Sequence, residues 1–260
     1  MSDHGTPVRQ RALTLLRDGI RNADVARLLS VPVGTVGYWK HTDRAARGEC
    51  PGRHGPPCPR CDGRPLDEAA YSYLLGLYLG DGHVVEGRRA AVLSVTCCET
   101  WPGLREECAA AMRAVFPANR VWEHRRTGCR DVRVCSRHVL CLFPQHGAGR
   151  KHERRIELAG WQREITAARP WEFLRGLIHS DGCRITNWTT RTVAGERKRY
   201  EYPRYLFTNV SDDIRQLYTD TLDALDIRWT HCTRHGSPYN ISVARRACTA
   251  LMDAHIGPKY

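Results

Sequence analysis

Residues 73–82 read YLLGLYLGDG, and a hundred residues further on 173–182 read FLRGLIHSDG. Leu74, Gly76, Leu77, Asp81 and Gly82 recur as Leu174, Gly176, Leu177, Asp181 and Gly182. Each copy reads as a short apolar helix with a small residue every fourth position, Gly76 and Gly80 in the first, Gly176 and Ser180 in the second. Small residues at that spacing form a flat stripe along which two helix backbones can approach closely. Glycine inside a helix costs about 0.5–1 kcal/mol against alanine, so the stripe needs a packing reason. The glycine after each Asp predicts a C-terminal stop, which sets each carboxylate on the last turn. The helix dipole is negative at that end. Two such helices side by side bring Asp81 and Asp181 together, and a divalent cation, most simply Mg²⁺, offsets both the repulsion and the dipole. Two plain core helices ending in Gly-Asp turns are the bland alternative, and they suit a single copy better than a pair.

With these paired motifs, residues 66–260 resemble the LAGLIDADG (dodecapeptide) homing endonucleases. The resemblance implies an α+β fold of two pseudo-symmetric αββαββα repeats, 66–165 and 166–260, with saddle-shaped antiparallel sheets. It implies a monomer with an internal pseudo-twofold, in which the motif helices form the interface between halves. Asp81 and Asp181 would hold Mg²⁺, helped by the carbonyls of Gly80 and Ser180, for hydrolysis of both strands of duplex DNA. The family also carries a basic residue late in each half, near the active site; Lys151 and Lys259 occupy that place. Two departures stand out: Leu79 and His179 lie where the family often has a further acid, and His179 reads as structural. Met1 and Tyr260 are not an intein's nucleophile and terminal His-Asn, so no splicing is expected.

The repeat extends beyond the motifs. VRVCSRHVLCLFPQHGAGRK (132–151) runs parallel to ISVARRACTALMDAHIGPK (241–259) with a one-residue gap. Arg137 then matches Arg246, Leu142 matches Leu251, His146 matches His255, Gly149 matches Gly257 and Lys151 matches Lys259. Apolar alternation and helical periods predict the same order in each half. In the first this is a helix 67–81, strands 83–86 and 90–96, a helix 101–116, strands 120–125 and 131–135, and a helix 137–143. In the second it is a helix 170–181, strands 183–187 and 205–209, a helix 211–225, strands 229–233 and 239–243, and a helix 245–254. A charged, helix-like connector joins the halves.

Forty Lys and Arg against 28 Asp and Glu leave a net charge of +12, which favours a polyanionic partner. Residues 120–155 hold ten Lys or Arg and three Asp or Glu, which points to Arg125, Arg126 and Arg133 as DNA contacts. A second basic patch, RTVAGERKRYEYPR at 191–204, reads as a long hairpin tip and adds Arg197, Lys198 and Arg199. Either patch reads equally as a solvated face when taken alone. MSDHGTP at the start carries no apolar signal core and no run is long enough for a bilayer, so a cytoplasmic, nucleoid-associated protein is expected. Twelve cysteines without an export signal read as thiols or metal ligands.

Residues 1–45 have three helical periods. Gly19 ends the first, Asn22 is placed to cap the second, and 33–41 reads as the recognition helix of a small all-α helix-turn-helix domain. Thr35, Tyr38 and Lys40 would face the major groove, with Val36 and Trp39 inward; a plain three-helix bundle is the alternative. The Gly-, Pro- and Arg-rich linker 46–65 contains Cys50, His54, Cys58 and Cys61, a C-x3-H-x3-C-x2-C array that fits a structural Zn²⁺ knuckle. His41 is an alternative fourth ligand. Functionally, a site-specific DNA endonuclease is the first expectation. A transcriptional regulator that reuses this scaffold without useful cleavage, or an RNA-binding splicing helper, are the rivals.

Overall fold

Ala12 and Leu16, four apart, and Val36 and Trp39, three apart, lie at helical spacing and meet Val25 in one small core. The computed structural model describes residues 6–47, 58–234 and 236–260. The chain divides into two units, Met1–Gly55 and Pro56–Tyr260. In the first, α1 (Thr6–Arg17), α2 (Asn22–Leu28) and α3 (Val33–Ala46) pack around that core. Gly19 turns the chain after α1 at φ +85°, and Ser30 turns it before α3 at φ +52°. Asn22 does not cap α2. Arg21 holds the cap position without a side-chain bond, and the Asn22 amide oxygen accepts from Lys40 Nζ at 3.5 Å. The third helix runs five residues past the expected 41, and Asp43 on that extra turn pairs with Arg17 at 2.5 Å and Arg47 at 2.9 Å.

The second unit opens with a single turn, α4 (Pro59–Asp62). The first repeat then runs α5 (Glu68–Leu79), β1 (Gly82–Glu86), β2 (Ala91–Cys98), α6 (Pro102–Val115), β3 (Val121–Arg126), β4 (Cys129–Ser136) and α7 (Val139–Leu142). A 3-10 turn (Lys151–Glu153) and the connector α8 (Gly160–Ala168) lead to the second repeat. That repeat is α9 (Pro170–Asp181), β5 (Gly182–Val193), β6 (Glu196–Thr208), α10 (Asp212–Ala224), β7 (Thr230–Arg234), β8 (Ser237–Val243) and α11 (Arg246–His255). The sheets are four-stranded and antiparallel, in the matching orders β1-β2-β4-β3 and β5-β6-β8-β7.

The two registers confirm the internal repeat. Gly82 faces Val95, which faces Val132; Gly182 faces Phe207, which faces Ile241. Val132 and Ile241 are therefore equivalent, as the alignment of 132–151 with 241–259 requires. The match of Leu142 with Leu251 fails, because Leu142 is 1% exposed and Leu251 40%, while Met252 takes the buried place. The expected helix 137–143 shrinks to one turn, whereas α11 keeps ten residues, and the difference shifts the inward face. The largest departure is in β5 and β6, which are 12 and 13 residues long. Only Tyr205–Thr208 of β6 pair with β8, so the rest of the hairpin leaves the sheet as a two-stranded ribbon.

The core is centred on α5, where every residue from Tyr71 to Leu79 is buried. A helix apolar all round needs neighbours on every side, and α9, α6 and α8 supply them. Asp67 caps its start, accepting from Ala70 N–H at 2.9 Å. Glycines at 82 and 182 are not left-handed stops: Gly182 is extended at φ −110°. Their requirement is steric, because each strand doubles back over its own helix. A Cβ on Gly182 would sit 2.8 Å from Ile178 Cα, and one on Gly82 would sit 2.9 Å from the Tyr78 carbonyl.

Candidate functional site

The small-residue stripe does what its spacing predicts. A Cβ on Gly76 would lie 2.5 Å from the Phe173 carbonyl oxygen and 2.8 Å from Leu177 N, so α5 and α9 touch backbone to backbone. One turn on, Ser180 occupies the space a Gly80 side chain would need. Ser180 Oγ donates back into its own helix, to the Gly176 and Leu177 carbonyls at 3.0 Å. The seam ends in the two acids: a Cβ on Gly80 would be 3.0 Å from Asp181 Oδ2.

Lysines from both repeats reach this seam. Lys151 Nζ donates to the Tyr78 carbonyl, to Leu79 O at 2.9 Å and to Gly80 O at 2.6 Å, while Lys259 Nζ donates to Ser180 O at 2.9 Å. Each therefore caps the C-terminus of its own repeat's motif helix, where carbonyls lack intrahelical partners and the dipole favours a cation. The turns that deliver them also repeat: Gly149 and Gly257, two residues before each lysine, sit at φ +81° and +72°. Glycine suits those left-handed positions because it has no Cβ to clash. The carbonyls of Gly80 and Ser180, expected as metal ligands, thus already accept one ammonium each and have a second lone pair left.

The lysines do not neutralise the acids completely. Burial pushes the Asp181 carboxyl up to about 6, and the neighbouring Asp81 charge adds to it against a 2.5 Å hydrogen bond from Asn209 Nδ2 and the two lysines. Asp81 opens to solvent on one side, yet loss of water on the others raises it above the usual carboxylate range, opposed by Lys259 and Lys151. Burial likewise brings Lys151 down to about 8, countered by Asp181 and Asp81. Two carboxyls still held above their normal range, beside spare carbonyl lone pairs, suit a hard divalent cation.

His179 points into the core. It is 2% exposed, its Nδ1 lies 2.9 Å from Tyr73 Oη, and burial pushes its pKa down to about 3. Glu107 on α6 accepts from Arg175 at 2.5 Å and from the Tyr260 hydroxyl, which ties the segment carrying Lys259 to the first repeat. Asn209 was not foreseen. By register its counterpart in the first repeat is Cys97, so the internal repeat carried no signal for it.

Strand alternation sorts the basic residues. On the face of the first sheet opposite Leu93, Val95, Val132 and Val134 lie Trp122, His124, Arg126 and Arg133. Arg125 does not join them: it falls on the other face opposite Arg130, 3.8 Å from Glu99. Arg133 is not free either. It donates to the fully buried Asp131 at 2.7 Å, which also accepts from Thr96 Oγ1 at 2.8 Å. Burial opposes the charge on Asp131, but the Arg133 and Thr96 hydrogen bonds win and hold its pKa low. In the ribbon, Lys198 shares a face with Arg191 and Arg204, and Arg197 and Arg199 take the other. Arg199 lies 5.0 Å over the Trp188 ring and 2.6 Å from Glu201.

In the first unit Tyr38 is 66% exposed and Thr35 half-buried, with Val36 and Trp39 inward as expected; Lys40 leans back onto Asn22. Of the expected zinc ligands, Cys50 and His54 lie outside the described residues. Cys58 and Cys61 gather with His138 and Cys141, their ligand atoms all within 4.8 Å of one another. The signal for that pairing was in the sequence, since His138-x2-Cys141 copies the spacing of Cys58-x2-Cys61.

No protein-family model matches the sequence, and no curated protein matches it. Among solved structures, I-DmoI in complex with DNA and Mn is similar at 14% identity and a TM-score of 0.50, covering 74% of this chain and 98% of that one. The homing endonuclease I-WcaI bound to its DNA recognition sequence matches at 10% identity and 0.45, covering 74% and 82%. The N-terminal LAGLIDADG domain of DUF199/WhiA matches at 12% and 0.44, covering 74% and 83%. At these identities the likeness concerns the fold alone: the chain has the two-repeat LAGLIDADG fold. Among the described residues no helix is long and apolar enough to cross a membrane.

Proposed function

We propose that this LAGLIDADG-fold chain is a monomeric, site-specific endonuclease of duplex DNA. One observation carries the reading: Asp81 and Asp181 come together at the end of the α5–α9 seam, with Lys151 and Lys259 bound to the helix-end carbonyls of Gly80 and Ser180 beside them. Asp81 and Asp181 would hold Mg²⁺, with the free lone pairs of the Gly80 and Ser180 carbonyls beside them. A divalent cation bound there supplies Lewis-acid stabilisation of the phosphate and a water nucleophile at neutral pH. Lys151 and Lys259 place positive charge where a cleaved phosphate gains negative charge. Asn209 fixes the rotamer of the Asp181 carboxylate.

DNA binding falls to the basic sheet faces and the ribbon. Arg126, Arg133, Lys198, Arg197 and Arg199 are the proposed contacts, and a two-stranded ribbon is of a size to enter the major groove. Arg125 lies on the opposite face, near Glu99, and is proposed as a contact to the phosphate backbone. Thr35, Tyr38 and Lys40 on α3 form a second proposed DNA contact, of helix-turn-helix type. That unit also favours the second reading, a DNA-binding regulator.

The discriminating experiment incubates purified protein with fragmented genomic DNA in Ca²⁺ or in Mg²⁺ and sequences both the retained fragments and the new ends. The endonuclease reading expects a site enriched in Ca²⁺ and cut in Mg²⁺. Enrichment of one site in both ions with no new ends supports the regulator, and loss of the retained fragments to an added structured-RNA competitor supports the splicing helper.

A further inference from the structure

We infer that Cys58, Cys61, His138 and Cys141 form a structural zinc site that fastens the segment entering the first repeat to α7. The four residues come from two separate one-turn helices built alike. Cys58 is the N-cap of α4 and Cys61 its third residue; His138 is the N-cap of α7 and Cys141 its third residue. The helices pack against each other, so two chelating turns of the same spacing, one Cys/Cys and one His/Cys, come together.

The distances suit a mononuclear tetrahedral ion. Zn–S bonds of about 2.3 Å and Zn–N bonds of about 2.0 Å at tetrahedral angles give S···S edges of about 3.8 Å and S···N edges of about 3.5 Å. Cys61 Sγ lies 3.5 Å from Cys141 Sγ and 3.6 Å from His138 Nδ1, and Cys141 Sγ lies 3.8 Å from the same nitrogen. Cys58, 1% exposed, completes the set, its Sγ within 4.8 Å of the other three ligand atoms. A disulfide does not explain the cluster, because a bond of about 2.05 Å joins two sulfurs and leaves the imidazole and third thiol without a role. Three soft thiolates and one imidazole select zinc over the hard cations suited to the acid pair. With four protein ligands the shell is complete, which fits a structural and not a catalytic ion.

The fold supplies a reason for the staple. A four-residue helix has no stability of its own; α4 rests on its packing against α7, on Arg60 lying 4.5 Å over the Trp161 ring, and on Cys58 N–H donating to the Asp62 carboxylate at 2.7 Å. The ion would join residues 80 apart in sequence, Cys61 and Cys141. It would also steady the turn whose Leu142 carbonyl accepts the Tyr71 hydroxyl at 2.5 Å, one step from the first motif helix.

The test uses the full chain, purified reduced and without chelator, with metal measured by elemental mass spectrometry. The expected result is one zinc per chain, lost in Cys61→Ser and in Cys141→Ser and retained in Cys50→Ser and His54→Ala. Zinc retained in Cys141→Ser but lost in the Cys50 or His54 variant overturns the assignment, as does a zinc-free wild-type protein. Should the serine variants not fold, Co²⁺ exchanged into the wild-type chain must give thiolate charge-transfer and tetrahedral ligand-field bands. In His138→Cys those bands shift toward a four-thiolate spectrum with the stoichiometry unchanged, and a spectrum unmoved by that change removes His138 from the site.

Discussion

Asp81 and Asp181 share a motif but not their surroundings. Asn209 donates to Asp181, and its counterpart by register is the buried Cys97. Asp181, raised to about 6, binds its proton more tightly in the folded chain than in the unfolded one. The stability it contributes is therefore present below the ordinary carboxylate pKa and is lost as pH rises through about 6. In chelator-treated protein, Asp181→Asn should leave the urea midpoint near its wild-type value at about pH 4 and raise stability by about 1–2 kcal/mol at about pH 7.5. Equal effects at both pH values would refute the assigned pKa. Lys151 satisfies three helix-end carbonyls and Lys259 one. Lys151→Met should cost about 1–3 kcal/mol in thermal or urea unfolding and Lys259→Met distinctly less, while both lower Mg²⁺-dependent cleavage at least tenfold. Equal unfolding costs would mean that the three carbonyl contacts do not hold the helix end.

At the scale of elements, the seam and the repeat were legible in the sequence because their requirements are periodic. A small residue every fourth position, an acid at the same offset and a lysine two residues past a glycine each recur, and α5, α9 and both lysine turns follow. What was not legible depended on partners distant in sequence. Nothing local limits α7 to one turn, and nothing in the 191–204 run distinguishes a hairpin tip from two strands that continue into it. Arg125 and Arg126 are equally basic neighbours, and only the register assigns them to opposite faces. The helix contact makes a sharp prediction. Gly76→Ala drives a Cβ into the Phe173 carbonyl and the α9 backbone, and should cost about 2–3 kcal/mol or prevent folding. Gly37→Ala, inside α3 with Asn22 Nδ2 at 3.7 Å as its nearest neighbour, should instead raise the first unit's stability by about 0.5–1 kcal/mol. Calorimetry on both variants checks the contrast.

For the whole molecule, the proposed binding of duplex DNA by a chain of net charge +12 should be salt-dependent, and the ribbon is where basic residues extend beyond the sheet. Replacing 188–201 with a two-residue turn removes Arg191, Arg197, Lys198 and Arg199 without touching β8 pairing at Tyr205–Thr208. The folded core should survive. The slope of log affinity against log salt should fall by about 0.9 for each phosphate that the shortened chain no longer neutralises, measured by fluorescence anisotropy at several salt concentrations. An unchanged slope would mean that the ribbon does not touch DNA. The endonuclease reading stands on the paired acids, and one comparison tests them most directly: mapping new DNA ends made in Mg²⁺ by the wild-type chain and by the Asp81→Asn, Asp181→Asn double variant. Ends at one sequence are expected for the wild type and none for the variant, with the same sequence still bound by both in Ca²⁺. Cleavage undiminished in the double variant, or a wild-type protein that binds its site and never cuts, would contradict that reading.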